Sequence, residues 1–103
     1  MNKASSNYRA DLIQTLRDNE EEQILYLQAS LEDEEYCSES FLLALKTIAE
    51  ARGFKKFAAE AGLSRESLYR TLSENGNPKL ETIIKLLSVL GMRLSVEPFK
   101  KSV

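Results

Sequence analysis

Apolar residues recur at helical spacing along most of the chain. Tyr8, Leu12 and Leu16 lie four apart with Ile13 beside them, and Ile24, Leu27 and Leu31 follow at intervals of three and four with Leu25 adjacent. Such spacing lines one face of an α-helix and predicts two amphipathic helices over about 8–18 and 20–34. Asn19, followed by Glu20, Glu21 and Glu22, makes a good N-cap with negative charge at the positive end of the second helix. Residues 32–39 are acidic and serine-bearing and read as a connector. Ser38 then caps a helix whose stripe is Phe41, Leu45, Ile48 and Ala49, and Gly53 ends it. A short helix over 54–61 stops at Gly62, and Ser64 caps another over 65–74. After Asn75 and Gly76, Asn77 stands as an N-cap with Pro78 at the first helical position, where a missing N–H does no harm. Leu80, Ile83, Ile84, Leu87 and Leu90 share one face of that last helix, and Gly91 closes it. Finally Met92, Leu94 and Val96 alternate with Arg93, Ser95 and Glu97 before Pro98, the period-two pattern of a short, half-buried strand ended by proline.

Composition narrows the chemistry. The chain has 103 residues, 43% of them apolar and 29% charged, with one cysteine and neither histidine nor tryptophan. A domain of this size buries roughly two-thirds of its unfolded surface, so it can build a core without disulfides or metal. The lack of histidine excludes a Ser/His/Asp triad, a Cys/His pair and a histidine-bearing zinc site. Carboxylates abound, but in runs on exposed faces, and the acidic surroundings of Cys37 disfavour its thiolate. No metal-ligand spacing or phosphate-cradling glycine loop is present, so no enzyme, cofactor or metal site is expected. No apolar run reaches the roughly 18 residues of a spanning helix, and the polar start MNKASSNYR lacks the apolar stretch of a signal peptide, so a cytoplasmic protein is expected.

The formal charge of −2 conceals a division. Residues 1–40 carry three basic against ten acidic side chains, a charge of −7, whereas residues 41–103 carry eleven against six, a charge of +5. Each part has its own field over distances near a Debye length, so two partners of opposite charge are expected. The plainer reading of an acidic run is a solvated helix face.

The densest signal is FKKFAAEAGLSRESLYRTLS at 54–73. Two short helices meet at Gly62, with the small Ala58 four positions before it and the apolar Leu68 six after. Ala58 allows close approach, while Phe57, Ala61, Leu63, Leu68 and Leu72 fill the wedge between the helices. This is the layout of a helix-turn-helix, whose second helix enters the DNA major groove. Ser64, Arg65, Glu66, Tyr69 and Arg70 then point outward. Arginine can grip guanine O6 and N7, and glutamate can accept from cytosine N4. Lys55, Lys56, Asn77 and Lys79 lie at helix starts suited to phosphate. The competing readings are ordinary exposed charges for the basic residues and a core-rim aromatic for Tyr69.

On these residues the chain resembles known proteins. Residues 38–98 resemble the lambda-repressor-like, Cro/C1-type helix-turn-helix domain. YLQASLED at 26–33 and the run at 45–98, with GLSRESLYRTLS, the following NP and the closing LSVEP, resemble the probable addiction-module antidotes, HigA-like type II antitoxins. The acidic linker EDEEYCSES departs from that family's pattern. The resemblance implies an antitoxin that silences a toxin of the RelE/ParE superfamily and represses its own operon, binding a palindromic operator as a dimer.

The expected fold is all-α: a lambda-repressor-like helix-turn-helix bundle with an N-terminal helical arm and one short C-terminal β-strand. Residues 1–37 form the acidic arm, 38–98 the DNA-binding domain and 99–103 a tail. An acidic arm suits a toxin made basic by its RNA substrate, with Leu12, Leu16, Ile24, Leu27 and Leu31 as anchors unless they pack on the chain's own core. Met92, Leu94 and Val96 are the expected dimer contacts, because an unpaired edge strand invites a partner. The alternative function is a stand-alone Cro/C1-type regulator without a toxin.

Overall fold

In a computed structural model of the chain, which describes residues 3–32, 38–73 and 76–99, every regular element is helical. The order is α1 (Lys3–Leu16), α2 (Glu20–Leu31), α3 (Ser38–Arg52), α4 (Phe54–Glu60), α5 (Arg65–Thr71) and α6 (Leu80–Val89). Most of the acidic connector, including Cys37, lies outside the described residues, as do Glu74, Asn75 and the tail beyond Phe99.

Local chemistry sets most of the helix ends. Asn19 caps α2 as expected, its side-chain oxygen accepting from the Glu22 N–H at 3.2 Å. The turn before it is made by Asp18, at φ 57°, a left-handed conformation that aspartate tolerates better than most residues. Ser38 lies within the first turn of α3 rather than ahead of it. The N-cap of α6 is Lys79, not Asn77, and Pro78 precedes the helix instead of opening it. The chain stays extended at Lys79, which leaves Pro78 in an apolar cleft beside Leu31, Phe41 and Leu42.

α3 is the centre of the fold. Leu45, Ile48 and Ala49 are wholly buried, and α1, α2 and α4 all pack against α3. Leu16 of α1 and Leu27 of α2 join the same core as Phe57, Ala58, Leu68, Leu72, Leu86 and Leu90. The arm is therefore a layer of the core. Polar contacts fasten it as well. Gln23 is buried, donating to the Leu16 carbonyl at 2.8 Å and accepting from Arg52 Nε at 2.9 Å. Arg52 also donates to the Leu90 carbonyl at 3.2 Å, and Arg9 pairs with Glu50 while reaching Thr47 Oγ1 at 3.3 Å.

The expected C-terminal strand is not formed. Residues 92–99 carry neither helix nor strand, and no strand occurs among the described residues. A strand exists only as one side of a hydrogen-bonded ladder, and among the described residues no strand runs beside the segment.

Candidate nucleic-acid interface

The α4–α5 pair is built around a glycine. α4 ends at Ala61, after which the Gly62 N–H bonds the Ala59 carbonyl at 3.0 Å and the Leu63 N–H bonds the Ala58 carbonyl at 2.9 Å. This reciprocal closure requires a left-handed residue just past the helix end, and Gly62 supplies it at φ 72°. Ser64 then caps α5, its Oγ accepting from the Ser67 N–H at 3.0 Å. Ala58 and Leu68 are buried between the helices, as their spacing from Gly62 predicts. The turn after α5 is tight as well: the Gly76 N–H bonds the Ser73 carbonyl at 2.8 Å, and a β-carbon on Gly76 would collide with the Thr71 carbonyl oxygen.

With Leu68 turned inward, α5 exposes Arg65, Glu66, Tyr69 and Arg70, and Ser64 is exposed just ahead of them. Lys55 of α4 lines a shallow depression together with Arg65 and Glu66. Its neighbour Lys56 does not share that surface: it lines a polar cleft with Arg17, Arg52 and Glu60 on the side of the arm. Asn77 and Lys79 are exposed ahead of α6, Asn77 beside the apolar cleft of Pro78. No side chain caps the first turn of α6.

Tyr69 is held from two sides. The Phe54 ring meets it edge-on, with centroids 5.9 Å apart and planes at 66°. Lys46 of α3 places its ammonium 4.3 Å from the centre of the Tyr69 ring and donates to the hydroxyl at 3.3 Å. An aromatic face attracts such a cation. Lys46 thus belongs to this surface, although sequence reading did not select it. Its partner lies 23 positions away, so local spacing carries no sign of the contact.

The five leucine and isoleucine positions of the arm divide. Leu16 and Leu27 are buried in the chain's own core, and Leu12 is partly buried against it. Ile24 and Leu31 are partly exposed, at 36% and 46%, along a groove facing the C-terminal segment. Leu25, at 53% exposure, points outward with Glu21, Glu22 and Glu32. Met92 is half-buried against the core, while Leu94 and Val96 are exposed. Among the described residues no helix is long and apolar enough to cross a membrane, and no acidic or cysteine cluster suits a metal.

Comparison with known proteins places this architecture in a family. An uncharacterized protein of Haemophilus influenzae is 40% identical over 79 residues, which span 77% of this chain and 79% of that protein. No solved structure matches. A family model described as "Probable addiction module antidote protein" matches residues 7–98, a span that takes in all of α2 to α6 and most of α1. By that match, the chain belongs to the family of probable addiction module antidote proteins.

Proposed function

We propose that the chain is the antitoxin of a type II toxin–antitoxin module, neutralising a RelE/ParE-superfamily toxin by direct contact and repressing its own operon as a DNA-bound homodimer. The supporting observation is the α4–Gly62–α5 unit. Its apolar faces are buried and its outward face gathers Arg65, Glu66, Tyr69 and Arg70 on the basic part of a chain from an antidote family. In this reading the protein has lambda-repressor-like, HigA-like architecture. α5 is the recognition helix, with Arg65 and Arg70 reading base edges, and Ser64, Lys55, Lys46, Asn77 and Lys79 meeting phosphate. Lys56 contributes from the rim at most, since it lines another cleft. The protein acts by binding and carries no catalytic group.

Toxin contact falls to the outer face of the arm. Leu16 and Leu27 are committed to the core, so the surface open to a basic toxin is the outward side of α2, where Glu21, Glu22 and Glu32 surround Leu25. Long-range attraction of this kind speeds encounter more than it tightens the complex.

Gel retardation with the promoter DNA of the protein's own operon tests the DNA half. Arg65→Ala with Arg70→Ala should abolish the shift while leaving the helical circular dichroism intact; an undiminished shift refutes the assignment of α5. A toxin gene beside this one, and co-purification of its product with the full chain, test the other half. Absence of both favours the stand-alone regulator.

A further inference from the structure

The segment that leaves α6 is the most apolar exposed stretch of the described chain: Leu94, Val96 and Phe99 are 42%, 95% and 82% exposed within six residues. It flanks a groove of about 330 Å³ lined by Ile24, Leu27, Leu31, Leu87, Met92 and Leu94. Arg93 and Glu97 are both exposed, and neither forms an ion pair with a described residue. Apolar side chains, a backbone that beyond the Met92 N–H makes no backbone hydrogen bond among the described residues, and two opposite charges four positions apart occur together on one short segment.

We infer that residues 92–97 pair antiparallel with the same residues of a second copy, in the one register that sets Ser95 opposite the partner's Ser95. That register places Leu94 opposite the partner's Val96 on one face, and Arg93 opposite the partner's Glu97 on the other, each pair occurring twice by symmetry. Centring on Leu94 instead opposes Arg93 to the partner's Ser95; centring on Val96 opposes Leu94 to the partner's Pro98 and Arg93 to the partner's Phe99. A slip of one residue sets Leu94 against the partner's Ser95 and mixes apolar with polar side chains on both faces. Only the Ser95 register satisfies both faces.

Proline fits the same register. Hydrogen-bonded and non-bonded pairs alternate along an antiparallel ladder. With Ser95 facing the partner's Ser95 as a bonded pair, the next bonded pairs are Arg93 with the partner's Glu97 and the reverse, giving about six backbone bonds. Pro98 then faces the partner's Met92 at a non-bonded position, where its missing N–H is not called on. The partner's Val96 lies beside Leu94 at the mouth of the groove. The outward face of α2 around Leu25, where toxin contact is proposed, stays free.

The inference gives the dimer of the functional reading above its geometry, and sedimentation velocity of the full chain at micromolar concentration, without DNA or toxin, tests it. Arg93→Glu and Glu97→Arg should each weaken dimerisation by roughly tenfold or more, because each turns two attractive pairs into two repulsive ones. Mixed in equal amounts, the two variants should dimerise as well as the native chain, since one protomer then offers two acidic side chains and the other two basic ones. Dimers indifferent to both reversals overturn the register, as does a mixture that sediments like its components. A native chain that is monomeric overturns the pairing and leaves the ribbon for a different protein. Operator retardation is read separately, so its failure in a dimeric sample counts against the DNA reading alone.

Discussion

At φ 72° Gly62 occupies a region that costs an ordinary L-residue roughly 1–2 kcal/mol. The nearest group to a β-carbon built there is the Lys85 ammonium at 3.4 Å, the far end of a flexible side chain, so backbone conformation rather than crowding decides the effect. Gly62→Ala should therefore lower stability by about 1–2 kcal/mol, read as a shift in urea midpoint with an unchanged slope. Gln23 raises a different issue. It is 1% exposed and satisfies both the Leu16 carbonyl and Arg52 Nε. Gln23→Leu fills the same space but leaves Arg52 Nε without its acceptor and the Leu16 carbonyl with the Asn19 N–H alone, and should cost about 1–3 kcal/mol in the same measurement. The burial of Gln23 was not legible in the sequence. Ile24, next to it, carries the apolar stripe, and the arginine that makes Gln23 acceptable inside lies 29 positions away.

Where the deciding group is a neighbour in sequence, the elements were legible. Asn19 sets the start of α2, Ser64 that of α5, and Gly53 and Gly62 follow α3 and α4 closely. The unforeseen ends are set by contacts across the fold: α6 begins two residues late, with Pro78 lining a cleft shared with Phe41 and Leu42. The C-terminal alternation predicts a strand, but alternation describes faces and does not supply a ladder partner. In the candidate interface the outward face of α5 was legible from Leu68 and Leu72 alone, whereas the clamp on Tyr69 was not. Phe54 and Lys46 come from two other helices and hold the ring in one place. If Tyr69 meets DNA through that fixed position, Lys46→Met and Tyr69→Leu should each weaken operator binding, and the double substitution should weaken it by less than the product of the two. A coupling of about 0.5–1 kcal/mol is expected from a double-mutant cycle of retardation constants. Strict additivity would show that Lys46 acts on DNA alone.

For the molecule as a whole, charge and packing divide the chain differently. The split near Ser40 into −7 and +5 describes the fields that partners meet. It predicts that DNA binding is strongly salt-dependent: with ~4 phosphate contacts per protomer, a dimer should show a log–log salt slope of about −7. Packing ignores that boundary, since Leu16 and Leu27 lie in the same core as Leu45 and Ile48, and Gln23 hydrogen-bonds Arg52. Removing residues 1–36 thus takes away a layer of the core along with an acidic surface. Each lost leucine alone is worth about 2–5 kcal/mol, against a total stability of about 5–15 kcal/mol for a small domain. The truncated chain should lose its cooperative thermal transition, and its failure to bind toxin would then say nothing about where toxin binds. Glu21→Lys with Glu22→Lys and Leu25→Ser alters only exposed side chains of α2. It should slow toxin association at low salt by tenfold or more while leaving operator retardation in place and the thermal transition cooperative, lowered only by the charge lost from the first turn of α2. If toxin association in stopped flow is unaffected by these three changes, the acidic face of α2 is merely solvated and the toxin docks elsewhere.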